Sequence, residues 1–466
     1  MNDQEKALKL IMKKCLNSEY LLSLGINRRP TLQEFKKKIP IVTYHELEPY
    51  INRAYAGEKN VLSAEPILIW GMTSGTTGKP KLIPHNKSSL KIYKQKMNLF
   101  FLRIILSNPS IINGKFLILT GKHCNWKSPD GKIVGSISGI MASKIPGLFK
   151  KMILYDSQTL DKLPDDKRLN YIAKEAQNEN ISVIASSSVT YLLGFFDELK
   201  RIVKKDVMDI WPNLKIISCP CGGHYRTQID EISKMLPNVK ILDVGLGATE
   251  GYFFVSVKGT EPIGIPNSKE YLIELLDSNS KKLYSLNEAE LNKKYELVIS
   301  SVNGILRYRM GDFVHVIRKN NKTMLKFLEK KLSEFSIYGE RMNLEQLKEA
   351  FSSVKSKFLL DKDKFLFITP SKIKKFNKYY LLIPSKEIKG FEKAIEQKMQ
   401  EKNINYKNII SMTKLLDPIK VIFLSEKEFN RVLESVHENK FLGQGRKKEV
   451  YTPDKESFYR FLQSYE

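Results

Sequence analysis

The chain reads as an α/β protein made of a large N-terminal domain with mixed sheets and helices and a smaller α/β C-terminal domain. Three observations predict this. Short apolar runs at residues 115–120, 181–185 and 214–218 alternate with helix-like segments, the pattern of a largely parallel sheet. The 466 residues are about three times the length expected of one domain. A charged, weakly apolar stretch at residues 327–334 is followed by a fresh α/β pattern, so the boundary falls near residue 335 and the domains are 1–334 and 335–466.

The elements follow in chain order. The apolar run 66–70 reads as a buried strand that delivers the next loop to a sheet edge. After the 181–185 strand, the cluster Ser186, Ser187, Ser188 supplies an N-cap for a helix through Tyr191, Leu192, Phe195, Phe196 and Leu199. Residues 297–300 and 304–309 read as paired strands around a turn, followed by a strand at 313–317, so the second half of the large domain is more antiparallel. In the smaller domain the pattern predicts a helix at 344–351, strands at 364–368 and 379–383, a helix at 391–401 and a strand at 419–424.

Composition narrows the class. An apolar content of 42% fills a real core, and no run of 18 apolar residues exists, since the best candidate, 99–106, is broken by Arg103. The start, Met1-Asn2-Asp3-Gln4-Glu5-Lys6, is charged and offers no signal-peptide core. A soluble, cytoplasmic protein is expected, with no membrane partner. Four cysteines are too few for a disulfide framework, and Cys219-Pro220-Cys221 lacks zinc-site spacing. The net charge of +26 invites nucleic acid as a partner. The positive excess is spread nearly evenly, however, and no Lys/Arg run exceeds three residues, which argues against a dedicated basic arm.

The most informative segment is Gly71-Met72-Thr73-Ser74-Gly75-Thr76-Thr77-Gly78-Lys79-Pro80-Lys81. Backbone N–H groups converge on an oxyanion only where side chains leave room, which accounts for Gly75 and Gly78. Ser74, Thr76 and Thr77 add hydroxyl donors and the lysines add charge. It is a phosphate-holding loop without the Walker A spacing, because Pro80 stands where that motif needs a hydroxyl.

Three further segments supply what a nucleotide site needs. Asp243-Val244-Gly245-Leu246-Gly247-Ala248-Thr249-Glu250-Gly251-Tyr252 places Glu250 in a small-residue turn after an apolar strand, where it can hold Mg²⁺ while Thr249 donates to phosphate. A simple exposed turn or a helix N-cap is the plain alternative. Arg307-Tyr308-Arg309-Met310-Gly311-Asp312 puts Asp312 after a glycine at a strand end, suited to ribose hydroxyls, with Arg309 able to bridge acid and phosphate; alone, such a pair is more often a structural ion pair. Cys221-Gly222-Gly223-His224 is a glycine-rich turn where bare backbone can lie along a flat base.

With the loop, these segments resemble the acyl-adenylate-forming superfamily. Ile39-Pro40-Ile41-Val42-Thr43-Tyr44-His45-Glu46-Leu47-Glu48-Pro49-Tyr50, residues 294–312 and Asn405-Tyr406-Lys407 further resemble the plant auxin-conjugating (auxin-responsive) acyl-acid amido synthetases of the Gretchen Hagen family, over about residues 39–450. The resemblance implies a ligase that uses ATP and Mg²⁺: a carboxylate attacks the α-phosphorus, pyrophosphate leaves, and an amine, in this family that of an amino acid, attacks the acyl-adenylate. It implies that Thr73, Ser74, Gly75, Thr76, Thr77, Gly78, Lys79 and Thr249 hold phosphates, Glu250 the metal, Gly222, Gly223 and Leu246 the adenine, and Asp312 the ribose, with Arg309 among the ATP-binding residues. It also implies a mobile C-terminal lid domain.

Two departures stand out. Leu246 replaces the superfamily's usual aromatic, and Gln444-Gly445-Arg446-Lys447-Lys448 puts Arg446 where the family has a catalytic lysine, so Arg446 or Lys447 takes that role, unless the stretch is a solvated loop. Arg341 sits near a position where the family has a lysine reaching the nucleotide. His123, Trp126 and Tyr155 can line an acyl pocket, though such residues more often pack, and His224 has no evident partner. Two rival functions remain: a thioester-forming acyl-CoA ligase, and a basic nucleic-acid-binding protein with a degenerate adenylation fold.

Overall fold

A computed structural model describes residues 2–73, 81–145, 147–155, 157–319, 321–330, 342, 344–358, 360, 364–369, 377–403, 406–407, 410, 416–437, 450–451, 458, 461–462 and 464–465. The described residues up to 330 make one compact unit and those from 342 a second.

In the first unit, strands β1 (Ile67–Met72), β2 (Leu82–Asn86), β3 (Lys115–Leu119), β4 (Trp126–Lys127) and β5 (Ile133–Ser136) come first. β1 pairs antiparallel with β2 and parallel with β5, and β4 closes a sheet of order β2-β1-β5-β4. β6 (Ile181–Ser186), β7 (Ile216–Cys219) and β8 (Lys240–Asp243) join β3 in an all-parallel sheet, order β3-β6-β7-β8. This is the parallel sheet expected from the alternation of strands and helices. Its two faces are both buried. Phe116, Val183 and Ile216 pack against Phe100 and Ile104 of helix Lys87–Ser107. Leu117, Ile184 and Ile217 pack against Ile172, Phe195 and Ile229, carried by helices Asp165–Ala176, Val189–Val203 and Arg226–Met235. The Ser188 hydroxyl caps the second of these helices, as its serine cluster predicts.

Strands β9 (Leu246–Ala248), β10 (Gly251–Lys258), β11 (Glu261–Pro266), β12 (Leu272–Leu276), β13 (Leu283–Tyr284), β14 (Lys294–Ser300), β15 (Tyr308–Lys319) and β16 (Lys322–Lys330) form an antiparallel sheet, order β13-β12-β14-β15-β16-β11-β10-β9. Two expectations are corrected here. Residues 304–307 are turn, held by Gly304 at φ +91°, where an added Cβ would sit 2.2 Å from the Leu62 carbonyl oxygen. The charged stretch beginning at residue 327, read only as the approach to a domain boundary, is in its first part the end of β16. Its Lys330 is a cross-strand partner of Asp312 at 3.1 Å, as the preceding Lys326 is of Glu261 at 3.3 Å.

In the second unit, β17 (Leu366–Ile368), β18 (Lys378–Pro384), β19 (Asp417–Leu424) and β20 (Val450–Tyr451) form a sheet of order β19-β18-β17-β20. Helices Leu344–Lys357 and Phe391–Lys402 cover one face through Phe351, Phe391 and Ile395, while helix Glu426–His437 covers the other through Phe429 and Val432. Among the described residues no helix is long and apolar enough to cross a membrane. All four cysteines are unbridged thiols, three of them buried.

Candidate active site

β1 and β2 form the stem of the glycine-hydroxyl loop. The Thr73 N–H donates to the Lys81 carbonyl at 3.0 Å, and the Lys81 N–H donates to Thr73 Oγ1 at 3.2 Å, so the loop leaves and returns through one clasp. Ser74, Gly75, Thr76, Thr77, Gly78 and Lys79 lie outside the described residues. The Lys81 ammonium stands 5.3 Å over the Tyr44 ring, whose hydroxyl accepts from the Leu82 N–H at 3.0 Å.

Thr249 and Glu250 form the tight turn between β9 and β10, with Ala248 paired to Gly251. The turn is pressed onto the loop stem. A Cβ on Gly71 of β1 would lie 2.6 Å from Thr249 Cγ2 and 3.1 Å from His85 Nε2, so only glycine lets the turn approach. His85 Nε2–H donates to the Thr249 carbonyl at 2.9 Å. Burial lowers that imidazole to a pKa of about 4, so it is neutral.

Glu250 is buried, 5% exposed. Burial holds its carboxyl above the usual range; nearby Lys330 and Lys81 pull it down and nearby Asp312 pushes it up. The Tyr308 hydroxyl beside them is held well above its ordinary value by burial and by the nearby Glu250 and Asp312. The site therefore concentrates two carboxylates and two ammonium groups at the mouth of the loop stem.

Asp312 sits inside β15, not at a strand end as the motif suggests. The strand continues because Gly311, at φ +74°, lies in a bulged stretch where the β15 register against β14 and β16 shifts. Asp312 faces inward, 3% exposed, and accepts from Lys330 Nζ at 3.1 Å. Arg309 does not bridge to it. Strand alternation turns Arg309 to the opposite face, where it pairs with Glu296 at 2.6 Å.

The glycine pair at the end of β7 is folded as a tight turn, with Gly223 at φ +61°. An added Cβ on Gly222 would lie 2.8 Å from the Phe327 ring of β16, so the bare backbone faces an aromatic side chain of the protein itself. The buried Asp243 carboxylate ties this turn to the next: Oδ2 accepts from the Cys221 N–H at 2.8 Å and Oδ1 from the Gly245 N–H at 2.7 Å. Burial pushes Asp243 up to about 7. Leu246 points into the core, 6% exposed, and shows no open face. Trp126 Nε1–H donates to the Tyr55 hydroxyl and the Tyr155 hydroxyl to the Ile118 carbonyl, both packing roles. Arg341, Arg446 and Lys447 lie outside the described residues, as does the side chain of His224.

The structure thus brings together Thr73, Thr249, Glu250 and Asp312 in one unit and adds His85, Tyr308 and Lys330. Tyr308 lies inside the 307–312 motif, which assigns it no role, and His85 and Lys330 carry no motif; the signal that joins them to the site is strand register, which depends on long-range pairing.

Two family models match the chain: the GH3 family N-terminal domain over residues 2–194 and the GH3 family central domain over residues 263–330. The chain belongs to the GH3 family. This GH3 chain is 24% identical to jasmonoyl-L-amino acid synthetase GH3.5 of Oryza sativa subsp. japonica, over 76% of the chain and 74% of that protein. It is 22% identical to the probable indole-3-acetic acid-amido synthetase GH3.1 of Arabidopsis thaliana, over 76% of the chain and 70% of that protein. Its fold matches the solved structure of AtGH3.15 acyl acid amido synthetase in complex with 2,4-DB, with a TM-score of 0.80 and 17% identity over 99% of this chain and 93% of the other.

Proposed function

We propose that this GH3 chain is an ATP-dependent ligase that adenylates a carboxylic acid and passes the acyl group to the amine of an amino acid, forming an amide. One observation carries the reading: in a member of a family whose relatives are named as acid–amino acid synthetases, Glu250, Asp312, Lys330 and Lys81 converge beside the loop stem.

The chemistry follows from charge. Attack of a carboxylate on the α-phosphorus of ATP builds negative charge on nonbridging oxygens and on departing pyrophosphate. This reading gives the amides and hydroxyls of the loop from Thr73 to Lys79, with Lys81, the task of receiving that charge, since fixed donors act without reorganising. Asp312 accepts the ribose hydroxyls, and Lys330 holds its carboxylate in place. The residues fit Mg²⁺: Glu250 is a buried carboxylate whose ionised form is short of compensation. Among the described residues no cluster of three or more metal-ligating side chains exists, which suits an ion held by one or two carboxylates plus phosphate oxygens. When bound, Mg²⁺ supplies neutralisation of the phosphate charge. The same reading assigns residues 335–466 to a lid that excludes water from the hydrolysable adenylate, with Arg446 or Lys447 neutralising the encounter of carboxylate and phosphate. It gives Gly222 and Gly223 the nucleobase side, with Phe327 as the aromatic surface beside them, while Leu246 packs behind in the core.

Mass spectrometry of a reaction supplied with a panel of acids, ATP, Mg²⁺, amino acids and coenzyme A together tests this. The expected products are an amide and AMP. A coenzyme A thioester with no amide overturns the acceptor, and ADP in place of AMP overturns adenylation.

A further inference from the structure

The loop after β3 holds a hydrogen-bonded histidine–aspartate pair. His123 Nδ1–H donates to Asp161 Oδ2 at 3.2 Å, and the same carboxylate accepts the main-chain N–H groups of His123 and Cys124, each at 2.9 Å. Both side chains are only partly buried, 15% and 13% exposed. With Nδ1 committed to the carboxylate as donor, Nε2 carries the lone pair and has no hydrogen-bond partner among the described residues. An imidazole so oriented by a carboxylate is a proton acceptor with a fixed tautomer.

Its position follows from two glycines. Gly135 of β5 and Gly71 of β1 are register partners in a parallel pair, so their Cβ directions share one face of the sheet. On that face a Cβ at Gly71 would strike Thr249, and a Cβ at Gly135 would lie 2.0 Å from the His123 carbonyl oxygen. The Ser136 N–H, next in β5, donates to the Lys122 carbonyl at 2.9 Å and fixes the loop there. With neighbouring strands about 4.8 Å apart, the His123 main chain runs within roughly 10 Å of Thr249.

We propose that His123, positioned by Asp161, is the base that takes the proton from the amine acceptor in the second half-reaction. This rests on the ligase reading above. The acceptor enters as the free amine. Its nitrogen forms the N–C bond to the acyl carbonyl while the C–O bond to AMP breaks, and AMP leaves with that electron pair. The surplus proton on nitrogen passes to Nε2 of His123 and then to solvent. The first half-reaction has no proton to remove, so it does not need His123.

The test uses the full chain and reads both halves separately. His123→Ala is expected to keep carboxylate-dependent ATP–pyrophosphate exchange within about 3-fold while amide formation falls about 10²- to 10⁴-fold, and added imidazole is expected to restore amide formation at least about 10-fold. Asp161→Asn is expected to lower amide formation less, because it misorients the ring without removing it. Amide formation within about 3-fold of the unmodified protein in His123→Ala, or a loss that imidazole does not restore, overturns the proposal. Absence of exchange in the unmodified protein overturns the ligase reading instead.

Discussion

The Nε2–H of His85 donates to the carbonyl oxygen of Thr249 at 2.9 Å, so a buried imidazole on β2 carries the main chain that presents Glu250. Two sites that motif reading treats separately, the loop stem and the acidic turn, are one hydrogen-bonded body.

Burial of this ring sets an acid limit, which the bond to Thr249 partly offsets. His85 titrates near 6.5 when unfolded and near 4 in the fold, so the stability it allows is complete above pH 6.5 and is lost as pH falls toward 4, by about 3 kcal/mol. His85→Gln keeps an amide donor and removes the titration. Denaturant midpoints between pH 7 and 4 are expected to fall less steeply in the variant; an unchanged slope contradicts the assignment.

Asp243 acts with the opposite sign. Its carboxyl is raised from 3.8 to about 7, so its stabilising contribution is complete below pH 3.8 and is lost as pH rises through 7, by about 4 kcal/mol. Asp243→Asn is expected to gain stability relative to the unmodified protein as pH rises from 4 to 8. Because the two slopes partly cancel, each is read as a difference between variant and parent at every pH.

Gly71→Ala tests the contact between stem and turn. The new methyl would meet Thr249 Cγ2 at 2.6 Å, and displacing a packed turn costs about 1–3 kcal/mol. A fall in exchange rate well beyond the stability loss is expected, since Glu250 moves with Thr249. Exchange equal to that of the parent would show the turn's position to be unimportant.

Arg168 offers a stability test away from the candidate catalytic groups. It is 2% exposed, its Nη2 reaches the Thr120 carbonyl at 3.4 Å, and its Nε and Nη1 have no hydrogen-bond partner among the described residues. Burying such donors costs free energy, so Arg168→Met is expected to leave thermal stability unchanged or raise it by about 1–3 kcal/mol. A loss of several kcal/mol would mean that the guanidinium is compensated.

Much of this architecture is legible in the chain because its signals are local. The strand at 181–185, the Ser188 cap and the Thr249-Glu250 turn each follow from a few adjacent residues. What is not legible depends on pairing across the chain. Lys330 looks like part of a charged stretch before the domain boundary until β16 lies against β15 and sets it beside Asp312. Arg309 looks like a nucleotide ligand until alternation on β15 sends it to Glu296. Leu246 stands at the right motif position, yet the direction of β9 buries it.

The most direct measurement is carboxylate-dependent exchange of labelled pyrophosphate into ATP, in the unmodified protein and in Glu250→Ala, across aromatic, indolic, fatty and hydroxy acids. The account predicts exchange with at least one acid in the unmodified protein and a loss of about 10²-fold or more in Glu250→Ala, because Glu250 is the residue assigned to hold the Mg²⁺ that neutralises phosphate charge. No exchange with any acid, or undiminished exchange in Glu250→Ala, would contradict it.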